Sequence, residues 1–314
     1  MLDAYKQVGD TIRHAPPFAA PGTFFRGNLH THTTASDGDF PAEEVVRRYK
    51  DQGYDFLCLS DHFLECYGYP VTDSREFRSS DFTTLIAAEL HVGKLLNDEL
   101  WHVLAVGLPL DFTPPHEDEG ITSLARRAYN AGAYIGLVHP EWYGLQPDDA
   151  NVLPFAHAVE IYNHGTRVEN DRGDGWALAD ILLNGGRQLH AFATDDAHQL
   201  THDAFGGWIN VKSTSLDEQS ILDALKAGHY YSSQGPLIDD IEIDSQEVRV
   251  QCSPAKAVII AGRGSRSDQV LGESLTEACF SLKKFRSGYF RITIIDSEDR
   301  KAWSNPLWMD SDTN

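Results

Sequence analysis

The sequence contains little cysteine. Its four residues of this type, Cys58, Cys66, Cys252 and Cys279, are scattered over 314 positions and form no Cys-x-x-Cys pair. Scattered single cysteines provide neither a zinc ribbon nor the dense disulfide framework of a small secreted domain. The sequence therefore favours a reducing compartment, and we expect a cytoplasmic protein.

Long apolar runs and basic residues are also scarce. No segment approaches the ~20 apolar residues that a membrane-spanning helix needs, and residues 1–17 carry charges but no apolar stretch typical of a secretion signal. Lys and Arg number 26 against 47 Asp and Glu, which gives a formal net charge of -21. Because an acidic surface repels phosphate backbones, we expect no extended nucleic-acid surface, and we expect no membrane association.

Between about residues 24 and 213, short apolar runs alternate with polar loops and helical stretches. The candidate strands are TFFRGNLH, FLCLSD, LIAAEL, WHVLAVGL, YIGLVHP, AVEIYN, QLHAFATD and GWINVKS. This rhythm is typical of a barrel or a wound sheet, and the chain length suits a barrel with a small appendage. After residue 237 the helical period is lost and short alternating runs predominate. We therefore predict a barrel over residues 1–236 and a small β-sandwich domain over residues 237–314.

The first helix has the strongest sequence signals. Pro41 suits the first helical position, Glu43 and Glu44 complement the helix dipole, and Gly53 suits the end of the helix. The stretches ITSLARRAYNAG, GWALADILLNGG and SLDEQSILDALKAG predict three more helices. Residues 63–81 form a long, turn-rich segment, which we interpret as a candidate lid because long loops in compact domains are often functional.

Potential metal ligands follow almost every predicted strand. They occur in HTH, SDH, AAELH, VHPEW, YNHG and ATDDAH, while His102 precedes its strand. Carboxyl ends of parallel strands meet at one face of a barrel, where enzymes of this fold keep their active sites. If the strand after His102 runs antiparallel, its beginning reaches the same face. Five of the 14 histidines are interpreted as structural or exposed rather than as ligands: His91, His157, His190, His202 and His229.

The ordered ligands resemble those of the PHP (polymerase and histidinol phosphatase) metallohydrolases. The matching residues are His30, His32, Asp37, Asp61-His62, Glu89, His102, His139 and Asp196-x-His198. The resemblance implies a distorted (βα)₇ barrel with two or three divalent ions, with Zn, Mn or Fe suited to these ligands. It implies one ion held by His30, His32, Glu89 and Asp196. It further implies a second ion held by His102, His139 and a bridging Glu89, and a third held by Asp37, His62 and His198.

The adjacent acids Asp195 and Asp196 require a choice. In an extended strand their side chains leave on opposite faces, so only one can point at the ions. If the extended backbone continues, Asp196 shares a face with His198, and we therefore choose Asp196 as the ligand.

The expected chemistry is hydrolysis of a small-molecule phosphate ester by a metal-activated hydroxide. Glu89 is the predicted bridge between ions, and Arg167 is a candidate phosphate contact, with a solvated loop arginine as the alternative. His164 is interpreted either as a proton donor to the leaving group or as a residue that orients a ligand.

Two other functions remain open. KAGHYYSSQGPLI and YFRITIIDSEDRKAWSNPLW resemble C-terminal elements of a PHP branch that includes carbamate hydrolases. The same hydroxide can attack a carbonyl, so a carbamate or carboxylic ester hydrolase is the first alternative. A non-catalytic metal-binding module is the second, although a binding role needs fewer than nine ligands. The oligomeric state is left open.

Overall fold

The structure is a computed structural model that describes residues 13–309, so most of the N-terminal segment considered above for a secretion signal lies outside the described residues. The strands in chain order are β1 (Arg13–His14), β2 (Thr23–Asn28), β3 (Phe56–Leu59), β4 (His62–Phe63), β5 (Thr83–Leu90), β6 (Val103–Val106), β7 (Tyr134–Leu137), β8 (Ala158–Asn163), β9 (His190–Thr194), β10 (Trp208–Ser213), β11 (Tyr230–Ser233), β12 (Ile238–Ile243), β13 (Glu247–Gly262), β14 (Ser267–Ser281), β15 (Gly288–Ile295), β16 (Lys301–Ser304) and β17 (Leu307–Met309). The helices are α1 (Ala42–Asp51), α2 (Ile121–Asn130), α3 (Pro140–Tyr143), α4 (Pro147–Ala150), α5 (His164–Asn170), α6 (Trp176–Asn184) and α7 (Glu218–Lys226). Short 3₁₀ turns occur at Glu65–Tyr67, Arg75–Phe77 and Leu282–Lys284.

The strands and helices predicted between residues 24 and 226 each overlap an element of the structure. The exact start of α1 differs, because the helix begins at Ala42 and Pro41 is the extended residue before it, with φ -67° and ψ 157°. Glu43 and Glu44 then occupy the first turn, where negative charge is favourable. After the helix, Gly53 adopts φ +76°, a left-handed conformation that suits glycine.

The strands between residues 23 and 213 form a mixed sheet. β2, β3 and β5 are parallel neighbours, and so are β7, β8 and β9. β6 lies between these two groups and is antiparallel to both β5 and β7. β6 therefore meets the condition under which His102 reaches the same face as the other ligands. This reversal brings the start of β6 beside the carboxyl ends of its neighbours.

The closed barrel expected from the resemblance is not confirmed. Among the described residues, no registered ladder joins β9 to β10 or β11. A side chain bridges this gap instead: Asn305 accepts from the Ala191 amide at 2.8 Å and donates to the carbonyls of Gly228 and Tyr230, both at 3.0 Å. Asn305 is buried, so these bonds satisfy main-chain groups that a ladder would otherwise pair.

The C-terminal region is rich in strands. Here β13 pairs with β12, β14 and β15, and β15 also pairs with β16 and β17. β16 additionally pairs with β11, so the hydrogen-bonded ladder continues across residue 236. Tyr289 and Trp303 pack in the same apolar cluster as residues of β5 to β9. The boundary at residue 236 and the sandwich arrangement remain predictions.

Four apolar clusters fill the described part of the molecule. One lies between the sheet and the outer helices, and a second fills the C-terminal region. Two more lie on opposite faces of β3, and one of these two packs under α1. No described helix is long and apolar enough to cross a membrane. This framework leaves the carboxyl ends of the strands as the place where polar side chains collect.

Candidate metal centre

All nine ligands expected from the resemblance lie together at the carboxyl ends of the strands and the start of β6. Their potential ligand atoms fall into overlapping groups, within each of which they lie within 4.8 Å of one another. The groups are His32, Asp37, His62 and His198; His62, Glu89, His91 and His102; His30, Glu89 and His139; and His30, His32 and Asp196.

Glu89 stands at the centre of the cluster and is fully buried. Its Oε1 lies 2.7 Å from Nδ1 of His102 and 3.0 Å from Nε2 of His139. Its Oε2 lies 2.7 Å from Nδ1 of His62 and 3.5 Å from Nε2 of His30. The two oxygens therefore face different sets of imidazoles, an arrangement that suits a carboxylate shared between two cations.

Two short strand pairings place His62 and His102 beside Glu89. The two-residue strand β4, which the sequence analysis did not predict, pairs His62 directly with Glu89 in a parallel register. On the other side, antiparallel β6 pairs Leu104 with Glu89, and His102 immediately precedes this strand. The backbone register therefore determines which imidazoles reach the central carboxylate.

The loop after β9 supplies Asp196, whose Oδ1 lies 3.2 Å from Nε2 of His30 and 3.0 Å from Nε2 of His32. The backbone there is not extended as the sequence analysis assumed. Asp196 has φ +55°, and its amide donates to the His30 carbonyl at 2.9 Å. Asp196 and His198 thus reach the cluster through a tight turn, so the choice of Asp196 agrees with the geometry although the argument from strand alternation was wrong.

Asp37 lies in the most exposed part of the cluster. Its Oδ2 lies 3.2 Å from Nε2 of His62, and its Oδ1 lies 3.5 Å from Nε2 of His198. His32 approaches the same carboxylate through Nδ1 at 3.7 Å. This group borders the opening to solvent, whereas Glu89 lies at its base.

The donor set fits divalent cations. His30 Nε2 and Glu89 Oε2 are buried and have no hydrogen bond of acceptable geometry, although both face other polar atoms of the cluster. Buried polar atoms without partners are costly, and a cation bound among them would satisfy their lone pairs. Imidazoles and carboxylates without thiolates are ligands suited to Zn, Mn or Fe.

The charges in the cluster shift its pKa values. Burial alone would raise the pKa of Glu89 and lower that of His62, but each group stabilises the charge of the other. The pKa of Glu89 is therefore held well below its usual value, and that of His62 is raised to about 10. In contrast, burial and the nearby His198 and His62 lower the pKa of His32 to about 4. Cation binding to this site therefore displaces protons.

Glu160 is a buried positioning residue that the sequence analysis missed. Its Oε1 lies 3.3 Å from Nδ1 of His30, and its Oε2 accepts from the His139 amide at 2.6 Å and from Nδ2 of Asn163 at 2.9 Å. Asn163 also donates to Asp196 Oδ2 at 3.1 Å. Glu160 and Asn163 therefore hold three predicted ligands in place. The only signal in the sequence is an acid inside an otherwise apolar strand.

Asp61 and Asp195 support loops rather than the ligand cluster. Asp61 accepts from the Thr33 amide at 2.7 Å and from Thr72 Oγ1 at 2.6 Å, so it ties the candidate lid to the first ligand loop. Asp195 is buried and accepts five hydrogen bonds. Its donors are Asn28 Nδ2, Tyr49 Oη and the amides of Phe205, Gly206 and Gly207.

The histidines interpreted as structural or exposed lie in different places. His157 accepts from the Ile135 amide at 2.9 Å through Nδ1, and His202 is exposed. His190 and His229 are both partly buried, away from the ligands. His91, however, is buried directly beside the cluster, with Nε2 2.8 Å from Nδ1 of His62.

His164 and Arg167 do not line the cavity at the cluster. Asn163 caps α5 by accepting from the Thr166 amide at 2.9 Å, so His164 becomes the first helical residue. The His164 ring packs against Gly206, where a Cβ would come within 2.2 Å of it, and its Nδ1 lies 2.9 Å from Tyr162 Oη. Arg167 pairs with Asp171 at 2.7 Å on the surface. The geometry does not support the proposed proton-donor and phosphate-contact roles.

A cavity of about 360 Å³ opens onto the ligands. Among the described residues that line it there is no Lys or Arg. The residues beyond the ligands are Trp142, Gly165, Thr166, Glu169 and Gln199. The Trp142 ring lies edge-on to the rings of His102 and His139, at 5.4 and 5.1 Å. This wall comes from α3, α5 and the loop after β9, and it was not predicted from the sequence.

Comparisons with known proteins agree with this description. The PHP domain family model matches residues 28–166. An uncharacterized protein of Methanocaldococcus jannaschii is 26% identical over 161 residues, which are 50% of this chain and 66% of that protein, just under two thirds of its length.

Solved structures are similar at low identity. A two-domain protein from Bacteroides vulgatus, described as containing a predicted PHP-like metal-dependent phosphoesterase, aligns over 97% of this chain and 100% of its own, with TM-score 0.55 and 14% identity. An amidohydrolase from Chromobacterium violaceum covers 57% of this chain and 89% of its own, with TM-score 0.40 and 13% identity, too low to support an argument. The Bacteroides protein shares the fold over the strand-rich C-terminal region as well. From the family match and the ligand cluster together, we conclude that this chain contains a PHP domain.

Proposed function

We propose that this chain is a metal-dependent hydrolase that cleaves a small-molecule phosphate ester at a centre of two or three divalent ions. The observation that carries the proposal is the position of Glu89, whose two buried oxygens face separate imidazole groups. A centre with two or more ions needs a shared anion of this kind, and an open cavity adjoins it.

The resemblance to the PHP metallohydrolases suggests how the ions would be distributed, and the contacts between the side chains are compatible with it. His30, His32, Glu89 and Asp196 would hold one ion, Glu89, His102 and His139 a second, and Asp37, His62 and His198 a third. Zn, Mn and Fe are the candidate metals. Such ions supply an activated water as the nucleophile and offset negative charge on the substrate. The protein's own residues fix the ligand orientations, above all Glu160 and Asn163.

Phosphate is the preferred substrate group because several cations can offset its charge in a protein with a net charge of -21. The description of the Bacteroides vulgatus protein as containing a predicted PHP-like metal-dependent phosphoesterase points the same way, although its 14% identity supports only a shared fold. Arg167 and His164 have no part in the proposed chemistry, because neither lines the cavity.

One observation favours a second candidate, a carbamate or carboxylic ester hydrolase. No Lys or Arg is present among the described residues that line the cavity, and an aromatic wall is formed by Trp142. Such a wall suits a neutral, partly apolar substrate as well as a phosphate ester. The two candidates differ in the group attacked and share the same metal centre.

A matched substrate panel tests the proposal. Protein stripped of metal with a chelator is reloaded separately with Mn²⁺, Zn²⁺ or Fe²⁺ and assayed with p-nitrophenyl phosphate, bis-p-nitrophenyl phosphate, an aryl carbamate and an aryl acetate. We expect turnover of a phosphate ester that depends on metal and is absent in Glu89→Gln. Metal-dependent turnover of only the carbamate or acetate would replace the first candidate with the second. No turnover of any substrate by fully loaded protein would contradict hydrolysis of these classes.

A further inference from the structure

His91 has two hydrogen-bonding contacts that together fix its orientation. Its Nδ1 lies 2.8 Å from the main-chain carbonyl of Trp101. A carbonyl can only accept, so Nδ1 carries the proton and Nε2 of the neutral ring has a lone pair. That lone pair faces Nδ1 of His62 at 2.8 Å. The ring is buried, so water does not compete for these contacts.

The same reasoning continues into His62. Because His91 Nε2 can only accept, His62 Nδ1 must donate and therefore carries a proton. A protonated Nδ1 cannot ligate a cation, which leaves Nε2 as the ligand atom of His62. Nε2 lies 3.2 Å from Asp37 Oδ2, in the group with His32 and His198.

We infer that His91 is a positioning residue that links the Trp101 carbonyl to His62 and thereby directs Nε2 of His62 to the cation held with Asp37. The inference rests on the proposed metal centre and does not depend on which substrate is cleaved. Ligating histidines usually donate their second ring N–H to a neighbouring acceptor, which fixes the tautomer and the ring orientation. In this site the acceptor is itself a histidine, oriented by a main-chain carbonyl.

Two competing arrangements are less consistent with the hydrogen-bond geometry. Glu89 Oε2 lies 2.7 Å from His62 Nδ1 and could accept its proton, but this contact lacks hydrogen-bond geometry and the same oxygen faces His30. His91 could instead ligate a cation through Nε2. However, a separation of 2.8 Å between this atom and His62 Nδ1 is that of a hydrogen bond.

Two substitutions at His91 test the inference through metal binding. His91→Leu fills the space of the ring with an apolar side chain and removes the atom that accepts from His62 Nδ1. His91→Gln can place an acceptor oxygen near the position of the former Nε2. His190→Leu is the matched control, since His190 is a partly buried histidine away from the ligand cluster, and its buried Nδ1 has no hydrogen-bond partner among the described residues. Bound Zn²⁺ per chain is measured by elemental analysis over a series of buffered free Zn²⁺ concentrations.

We expect His91→Leu to lose affinity for one equivalent of Zn²⁺ by about 10- to 100-fold while the other equivalents bind normally. His91→Gln should recover much of this loss, and His190→Leu should bind like the wild type. Equal loss of all equivalents in His91→Leu, or unchanged binding, would overturn the inference. Wild-type protein that binds no divalent cation would defeat the metal centre itself, and the positioning role with it.

A spectroscopic measurement separates positioning from ligation without relying on a variant. In Zn²⁺-loaded wild-type protein with ¹⁵N-labelled histidine, we expect His62 to be protonated at Nδ1 and metal-bound at Nε2. His91 should be protonated at Nδ1, with Nε2 free of metal. A metal-bound Nε2 in His91, or a metal-bound Nδ1 in His62, would overturn the inference.

Discussion

Histidines lie at both ends of the parallel strands, and their surroundings differ. At the carboxyl ends, His62 is partly buried against Glu89 and Asp37, which raise its pKa to about 10 although burial alone would lower it. At the opposite ends, His190 begins β9, where burial together with His229 lowers its pKa to about 4. The carboxyl ends therefore pair imidazoles with carboxylates, whereas no carboxylate contributes to the pKa of His190 at the opposite end.

The difference shows why counting histidines does not locate a site. His157 also precedes a strand, yet it stacks on Tyr134, with ring centroids 5.1 Å apart, and accepts a main-chain amide. No carboxylate contributes to the pKa of His157, whose value of about 4 follows from burial and from His190 and Lys226. In this protein we expect cations to bind where carboxylates face the imidazoles, and the following predictions test that expectation.

The largest effect is expected for Glu89→Gln. The substitution removes the anion that we propose is shared by two cations and leaves a neutral amide among imidazoles. Hydrolysis should be abolished and both adjoining cations should bind weakly, while the chain still folds. Metal content by elemental analysis, with folding checked by circular dichroism, measures these outcomes. Wild-type turnover in this variant would contradict the bridging role.

The next prediction concerns the adjacent acids. Asp196→Asn removes a charged group that faces His30 and His32, so activity should fall by several orders of magnitude with metal loss, while stability changes little. Asp195→Asn should behave differently, because each Asp195 oxygen accepts at least two hydrogen bonds. Either orientation of the new amide turns its NH₂ toward buried donors, at a cost of about 1–3 kcal/mol for each donor left without an acceptor.

Denaturant unfolding and metal content, measured on both variants, separate the two acids. We expect Asp195→Asn to lose stability while its folded fraction retains metal with an affinity reduced at most ~10- to 100-fold. If Asp195→Asn is the more metal-depleted variant and Asp196→Asn the less stable one, the two assignments are exchanged.

The ligand order could be predicted from the sequence because each ligand follows or precedes an apolar strand. His102 is informative, since its place before the run brings it to the other ligands only if that strand is antiparallel, and β6 is antiparallel to β5. The residues that hold the ligands in place were harder to predict from the sequence. Glu160 lies inside a strand with residues buried on both faces, so alternation does not tell which way its side chain points.

The predictions that failed did so for identifiable physical reasons. His164 follows a strand end as the ligands do, but Asn163 caps α5 and the helix carries the imidazole away from the cavity. The positive φ of Asp196 depends on its hydrogen bond to the His30 carbonyl, far away in the sequence. The unclosed gap beside β9 depends similarly on Asn305, which no local pattern connects with that strand.

A third prediction addresses His190 at the opposite end of the strands. Because the pKa of His190 is lowered to about 4, unfolding exposes a histidine that takes up a proton at its ordinary pKa near 6.5. The stabilising contribution of the neutral ring is therefore complete above pH 6.5 and is lost as the pH falls from 6.5 towards 4. In this window the wild type should lose about 1.4 kcal/mol of stability per pH unit more than His190→Gln.

Chemical unfolding of metal-free protein between pH 7 and 4.5 provides the measurement, with both proteins compared in the same buffers. Histidines of the cluster titrate in both proteins, so their contribution cancels in the difference. Parallel pH profiles for the two proteins would show that His190 is protonated in the folded state, contrary to the lowered pKa described above.

The smallest effect is expected for Arg167→Ala. The Arg167 side chain is half exposed and pairs with Asp171, which is itself 82% exposed, so the pair contributes about 0.5 kcal/mol or less to stability. Since Arg167 does not line the cavity, its loss should change kcat/KM for a phosphate ester by less than about twofold. Asp171→Ala, which removes the same ion pair from the other side, should match it. A fall of about tenfold or more in Arg167→Ala alone is the loss expected for a charged hydrogen bond to the substrate, and would mean that the arginine turns into the cavity when substrate binds.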